Sequence, residues 1–89
     1  MPFETQPNSV RYLEDGQTLA EVTFPPLEGA VVNVDHTYVS DALRGRGMAA
    51  QLMERTAAEL RRTGRRAVLT CTYARRWWSQ HPDQADLLK

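Results

Sequence analysis

A change of hydrophobic period near residue 40 restricts what this chain can fold into more than any other feature. Beyond it, Ala49, Leu52, Met53, Thr56, Ala57 and Leu60 recur at the i, i+3, i+4, i+7, i+8, i+11 spacing of one helical face, while Glu54, Arg55, Glu59, Arg61 and Arg62 fall off that face. This predicts an amphipathic helix of about four turns. Gly64 is placed to end it, and Arg61, Arg62, Arg65 and Arg66 gather where the negative end of a helix favours cations. Before residue 40 the period is two. Residues 10–14 are a β-prone run, Asp15-Gly16 supplies the positive-φ positions of a tight hairpin turn, and residues 18–24 resume the alternation. Pro25-Pro26 cannot donate ladder hydrogen bonds and so end that strand, and Gly29 closes the loop after it. Residues 30–39 carry Val31, Val32, Val34, Tyr38 and Val39 and predict a single central strand.

Past the helix, residues 67–72 predict a fourth strand, and residues 73–80 and 83–88 short helices, with Pro82 starting the second. The order β-β-β-α-β-α, with a helix crossing between strands three and four, makes those two strands parallel and gives an α+β fold on a mixed sheet. At 89 residues the expectation is a single domain, residues 1–89. A hydrophobic fraction of 42% is too high for a disordered chain. The first residues have neither a basic stretch nor an apolar run, and no window is apolar enough for a membrane span, so a cytoplasmic protein with no membrane partner is expected. One cysteine, Cys71, and two histidines are too few for an internal disulfide or a closed metal site, so no metal is expected.

The formal net charge is zero, which gives no global argument for nucleic acid. The zero conceals a segregation. Residues 1–40 hold one cation against six anions, whereas residues 41–89 hold ten cations against five anions. The basic half includes Arg75-Arg76-Trp77-Trp78, a mixture that suits single-stranded nucleic acid. Adjacent helical residues point about 100° apart, however, which argues against a stacking platform and leaves one Trp packed and the other half exposed.

Between the predicted central strand and the helix lies Ser40-Asp41-Ala42-Leu43-Arg44-Gly45-Arg46-Gly47-Met48-Ala49-Ala50. A loop with two glycines entering a helix leaves several backbone N–H groups unpaired beside the positive helix end, an arrangement that favours a pyrophosphate. Gly45 and Gly47 permit close backbone approach, and Arg44 and Arg46 can add charge-assisted hydrogen bonds. The plain alternative is a loop that uses glycine only to turn. Gly45 to Ala50 formally fits G-x-G-x-x-A, but the acidic residue a dinucleotide fold wants about 20 positions on is missing. A P-loop needs a lysine, and the only one is Lys89.

Arg44-Gly45-Arg46-Gly47-Met48-Ala49 matches R/Q-x-x-G-x-G/A, and resembles the acyl-coenzyme-A pyrophosphate loop of the GNAT acetyltransferases. His36-Thr37-Tyr38-Val39, Thr70-Cys71-Thr72-Tyr73 and His81-Pro82-Asp83 extend the likeness to the small single-domain GNAT-like branch, with its H-T-x-V strand end, R-G-x-G-x-A loop, C-x-Y motif and closing H-P-x-x-x-x-L. The resemblance covers residues 10–88. It implies a minimal GNAT-like fold whose sheet splays open between strands three and four, with acetyl-coenzyme A in the gap. It places the pyrophosphate on the N–H groups of Arg44, Gly45, Arg46, Gly47, Met48 and Ala49, and the pantetheine arm on the backbone of Thr37, Tyr38 and Val39. The implied activity is N-acetyl transfer to a small amine or an exposed protein amine, by a monomer or homodimer. The strands and helices that build a deep acceptor site in larger GNAT enzymes are missing, so a non-catalytic module that binds coenzyme A or a partner protein is the competing reading.

Within that frame Cys71 falls at the end of strand four, beside the thioester. A thiolate there could take the acetyl group and pass it on, or Cys71 could be a small buried hydrophobe. His36 could act as a base toward an ammonium or toward Cys71, or Asp35-His36-Thr37 could be a structural corner. Tyr73 could protonate the departing coenzyme A thiolate, or pack with its hydroxyl tied to backbone. His81 reads as a cap or a core contact.

Overall fold

In a computed structural model the chain is described from Pro2 to Lys89. Asp15 and Gly16 take φ of 52° and 75°, the paired left-handed geometry of a tight hairpin turn, and join β2 (Ser9–Glu14) to β3 (Gln17–Thr23). The pairing runs from Ser9↔Thr23 to Glu14↔Gln17, with a bulge between Tyr12 and Leu13. It turns Val10, Ala20 and Val22 into the core, all fully buried. A strand not anticipated from sequence, β1 (Phe3–Gln6), adds to the outer edge of β2 with Phe3 opposite Tyr12. Its composition is mostly polar. What makes it a strand is the edge of β2 and the Phe3 ring, which meets Tyr12 edge-on at 5.1 Å and carries the Arg55 guanidinium over its face at 3.8 Å.

Residues 30–39 are two strands rather than one. β5 (Val31–Val34) and β6 (His36–Val39) are separated by Asp35 and belong to different sheets. One sheet has the order β1-β2-β3-β6; the other is β4-β5-β7, where β4 is the short Pro26–Glu28 and β7 is Arg66–Leu69. Residues 20–28 accompany the whole stretch, as Ala20 pairs with Val39 and Glu28 with Val31, and between them Asn33 N–H donates to the Pro25 carbonyl (2.9 Å) and Asp35 N–H to the Thr23 carbonyl (3.3 Å). On the other side β7 follows only β5, in parallel, from Val31↔Arg66 to Val34↔Leu69. The ladder stops because Thr70 and Cys71 both aim their N–H at one carbonyl, Val34, at 3.1 Å each. The predicted fourth strand therefore ends at Leu69, and Cys71 is not a strand residue. It is the N-cap of α2 (Thr72–Ser79).

The helix between the parallel strands is α1 (Met48–Thr63). Leu52, Met53, Thr56, Ala57 and Leu60 lie in the core as the spacing requires, joined by Met48; Ala49 is only half-buried, and Glu59, expected off that face, is buried because Arg62 (2.8 Å) and Arg65 (3.8 Å) meet its carboxylate. Gly64, with φ of 69°, ends it by donating its N–H to Leu60 and Arg61 carbonyls.

Trp77 and Trp78 are both buried, against the expectation that one would lie half exposed. The 100° step is real, but a 3-10 segment at Pro82–Leu87 folds back over the second side of α2. Gln84 accepts from Trp78 Nε1 at 3.0 Å, and His81 stacks on Trp77 at 4.0 Å while its Nδ1 meets the Trp77 carbonyl at 2.7 Å. Arg61 fastens this segment to α1 by gripping Asp86 at 2.8 and 3.1 Å. Among the described residues no helix is long and apolar enough to cross a membrane.

Candidate active site

The divergence of β6 from β7 produces the site. β6 is the last strand of its sheet, so among the described residues one of its backbone edges has no strand partner. At its end Ser40 starts a 3-10 turn (Asp41–Leu43), its hydroxyl accepting from Ala42 N–H at 3.3 Å. The chain then passes through Gly45 (φ 81°) and Gly47 (φ 69°) into α1. Gly47 is the N-cap and has no side chain to cap with, and the first bond into the helix is Gln51 N–H to the Gly47 carbonyl at 3.1 Å. The N–H groups of Met48, Ala49 and Ala50 consequently have no backbone acceptor among the described residues, nor do those of Gly45 and Gly47. Arg44 and Arg46, by contrast, turn their N–H groups back to the Asp41 and Leu43 carbonyls at 3.3 Å.

These amides open on a cavity of about 250 Å³ lined by the loop, Val39, Ala50 and Tyr73. The positive end of α1, a row of unpaired donors and a free strand edge together suit a ligand with a phosphate group at one end and an amide-bearing arm at the other. Arg44 is exposed and pairs at 3.1 Å with Asp41, which is also exposed, so solvent screens the pair and the guanidinium is free to turn. Arg46 is exposed and forms no ion pair among the described residues. The Met48 side chain is in the core, so only its backbone faces the loop cavity.

On the far side of the gap, Cys71 is half-buried, and its Sγ lies 3.4 Å from Thr37 Oγ1. Tyr73, two residues on, lines the loop cavity, and burial raises its hydroxyl above the ordinary tyrosine value, with the Arg76 charge opposing. The structure thus brings Val39, Tyr73 and the loop around one cavity, while Thr37 and Cys71, two residues before Val39 and Tyr73, meet each other. His36 and Tyr38 are not in that group. Side chains alternate along a strand, so with Thr37 and Val39 facing the opening and the core, His36 and Tyr38 are exposed on the opposite face. The corner at this point is made by Asp35, whose Oδ1 accepts from Thr23 Oγ1 at 2.6 Å. A larger depression of about 500 Å³ lies on the sheet face bearing Arg11, Glu21 and Asp35, where Arg11 pairs with Glu21 at 2.6 Å.

Ala50 was not singled out from sequence. The rule that the first amides of a helix are orphaned covers it, once the N-cap is known to be Gly47.

The chain is similar in structure to a GCN5-like protein from Staphylococcus aureus, with a TM-score of 0.78 and 23% identity over 98% of this chain and 86% of that one. It is similar to a GNAT family acetyltransferase from Brucella melitensis in complex with acetyl-CoA, with a TM-score of 0.62 and 31% identity over 78% of this chain but only 50% of that one, so it spans half of that enzyme's length. A ribosomal-protein-alanine N-acetyltransferase from Brucella melitensis biovar Abortus 2308 aligns with a TM-score of 0.64 and 24% identity over 82% of this chain and 59% of that one. Comparison with curated proteins finds no match. The family described as GCN5-related N-acetyl-transferase matches residues 9–87, nearly the whole chain, which therefore belongs to that family and is by membership an acyltransferase.

Proposed function

We propose that this chain transfers an acetyl group from acetyl-coenzyme A to an amine, a small molecule or an exposed amine of a protein. The observation that carries the reading is the early end of the β5–β7 ladder, which leaves β6 an open edge running from Cys71 to a loop of unpaired amides. On this reading Gly45, Gly47, Met48, Ala49 and Ala50 hold the pyrophosphate by backbone, Arg44 and Arg46 add charge, and Thr37, Tyr38 and Val39 pair with the pantetheine arm. The bound donor supplies an activated thioester.

Cys71, as the thiolate, bonds through Sγ to the acetyl carbon as the bond to the coenzyme A sulfur breaks, an exchange of one thioester for another that is close to isoenergetic. Tyr73 gives its proton to the departing thiolate, a role suited to a hydroxyl that burial keeps protonated. The amine nitrogen, entering as the free base, then bonds to the acetyl carbon, Cys71 leaves as the thiolate that began the cycle, and the surplus nitrogen proton returns to the Tyr73 phenolate. His36, exposed on the opposite face of β6, is turned away from a nitrogen at the acetyl carbon, so the ammonium gives its proton to solvent before the free amine enters.

Calorimetry and intact-mass measurement with acetyl-coenzyme A test this for wild type, Arg44→Ala and Cys71→Ala. The expected result is binding by wild type, weaker binding by Arg44→Ala, and a labile acetyl adduct that Cys71→Ala lacks. No binding by wild type removes the whole assignment. Binding without transfer to protein or added amines makes the chain a coenzyme-A-binding module. Undiminished turnover by Cys71→Ala leaves direct attack of the amine as the mechanism.

A further inference from the structure

We infer that Thr37 is the positioning residue for the Cys71 thiol. The inference rests on the reading of Cys71 given above and adds a residue whose side chain that reading does not use. Cys71 is held by the two strands on either side of the Asp35 break. Its N–H is fixed on Val34 of β5 at 3.1 Å, and its Sγ meets Thr37 Oγ1 of β6 at 3.4 Å. Its carbonyl is also committed, accepting from Arg75 N–H at 3.1 Å as the first bond of α2. With the backbone pinned at both ends, the one remaining freedom is rotation about Cα–Cβ, which has three staggered wells. The Thr37 hydroxyl selects the well that points Sγ across the gap toward β6.

Thr37 Oγ1 has no other hydrogen-bond partner among the described residues. Its proton is therefore available to the sulfur, and a thiolate, which can only accept, is the form that gains most from it. Thr37 is β-branched, so its own side chain is stiff, and it sits on a strand whose partner β3 fixes it opposite Val22. The pair is also the one side-chain hydrogen bond that spans the gap between β6 and the start of α2 among the described residues.

The test uses the fact that Cys71 is the only cysteine, so its alkylation by iodoacetamide at neutral pH is a single-site reading that needs no acetyl-coenzyme A. Thr37→Val keeps the shape and removes the hydroxyl; Thr37→Ser keeps the hydroxyl; Thr37→Ala guards against a Val variant that does not fold. Losing the hydrogen bond is expected to slow alkylation about five- to tenfold in Thr37→Val and Thr37→Ala, with Thr37→Ser within about twofold of wild type. Unchanged rates in the folded Val or Ala variants, or a Ser variant as slow as Val, overturn the inference. Alkylation in the expected order with no acetyl adduct on wild type upholds the positioning of the thiol and removes only the acetyl-cysteine route.

Discussion

Gly47 occupies a left-handed backbone position and has open space where a Cβ would go. A Gly47→Ala substitution therefore meets no neighbour and costs only the backbone strain, about 1 kcal/mol. Relief of that strain shifts the first turn of α1, where the free amides are. The expected outcome is a small fall in Tm with a clear loss of acetyl-coenzyme A affinity, read by melting and calorimetry on one sample. Tyr73 gives a second reading at this scale. Its raised value means that the folded state favours the neutral hydroxyl, so stability is complete below about pH 10 and is lost as pH rises through the raised value. Tyr73→Phe should flatten the alkaline arm of urea unfolding measured between pH 9 and 11 and, if the hydroxyl is the proton donor, lower kcat with little change in KM. Of the candidate residues, the glycines were legible as backbone devices because their chemistry is local. The separation of His36 from Cys71 was not, because it depends on which face of β6 the core takes.

The elements differ in how much of each was written locally. α1 was legible nearly to the residue, since its apolar stripe, its glycine stop and its terminal arginines all act within one helix. Leu52, fully buried on that stripe, should cost about 2–5 kcal/mol as Leu52→Ala in urea unfolding. Gly64→Ala, which puts a Cβ on a left-handed C-cap, should cost about 1 kcal/mol. The break at Asp35 was not legible because Val31, Val32, Val34, Tyr38 and Val39 carry the β-prone pattern across it; only the course of β7 shows that half of the run is paired on both edges and half on one. Burial of both tryptophans was illegible for the same kind of reason, as the cover comes from Pro82–Leu87.

At the scale of the molecule the charge segregation separates into parts. Several arginines of the basic half are taken up in structure. Arg62 hydrogen-bonds Glu59 and Arg61 hydrogen-bonds Asp86, and each holds its carboxyl below the ordinary value. Those two carboxylates stabilise the fold above their unfolded values near 4, and the contribution is lost as pH falls through the lowered folded values, so urea midpoints should drop between pH 5 and 2 and drop less in Asp86→Asn. Arg44 and Arg46 remain exposed beside the loop cavity. If they meet phosphate there, raising the salt from about 0.05 to 0.5 M should weaken acetyl-coenzyme A binding several-fold, and less so in Arg44→Ala.

The sequence by itself determined the helix, the hairpin, the glycine loop and the parallel crossover, because period, turn chemistry and capping act over a few residues. Only the tertiary structure decided where β5 hands over to β6, which face of β6 carries Thr37, and that Cys71 begins a helix instead of ending a strand. Each of these is set by which distant segment supplies the next hydrogen-bond partner, and the gap that makes the site exists because, past Val34, β7 supplies none.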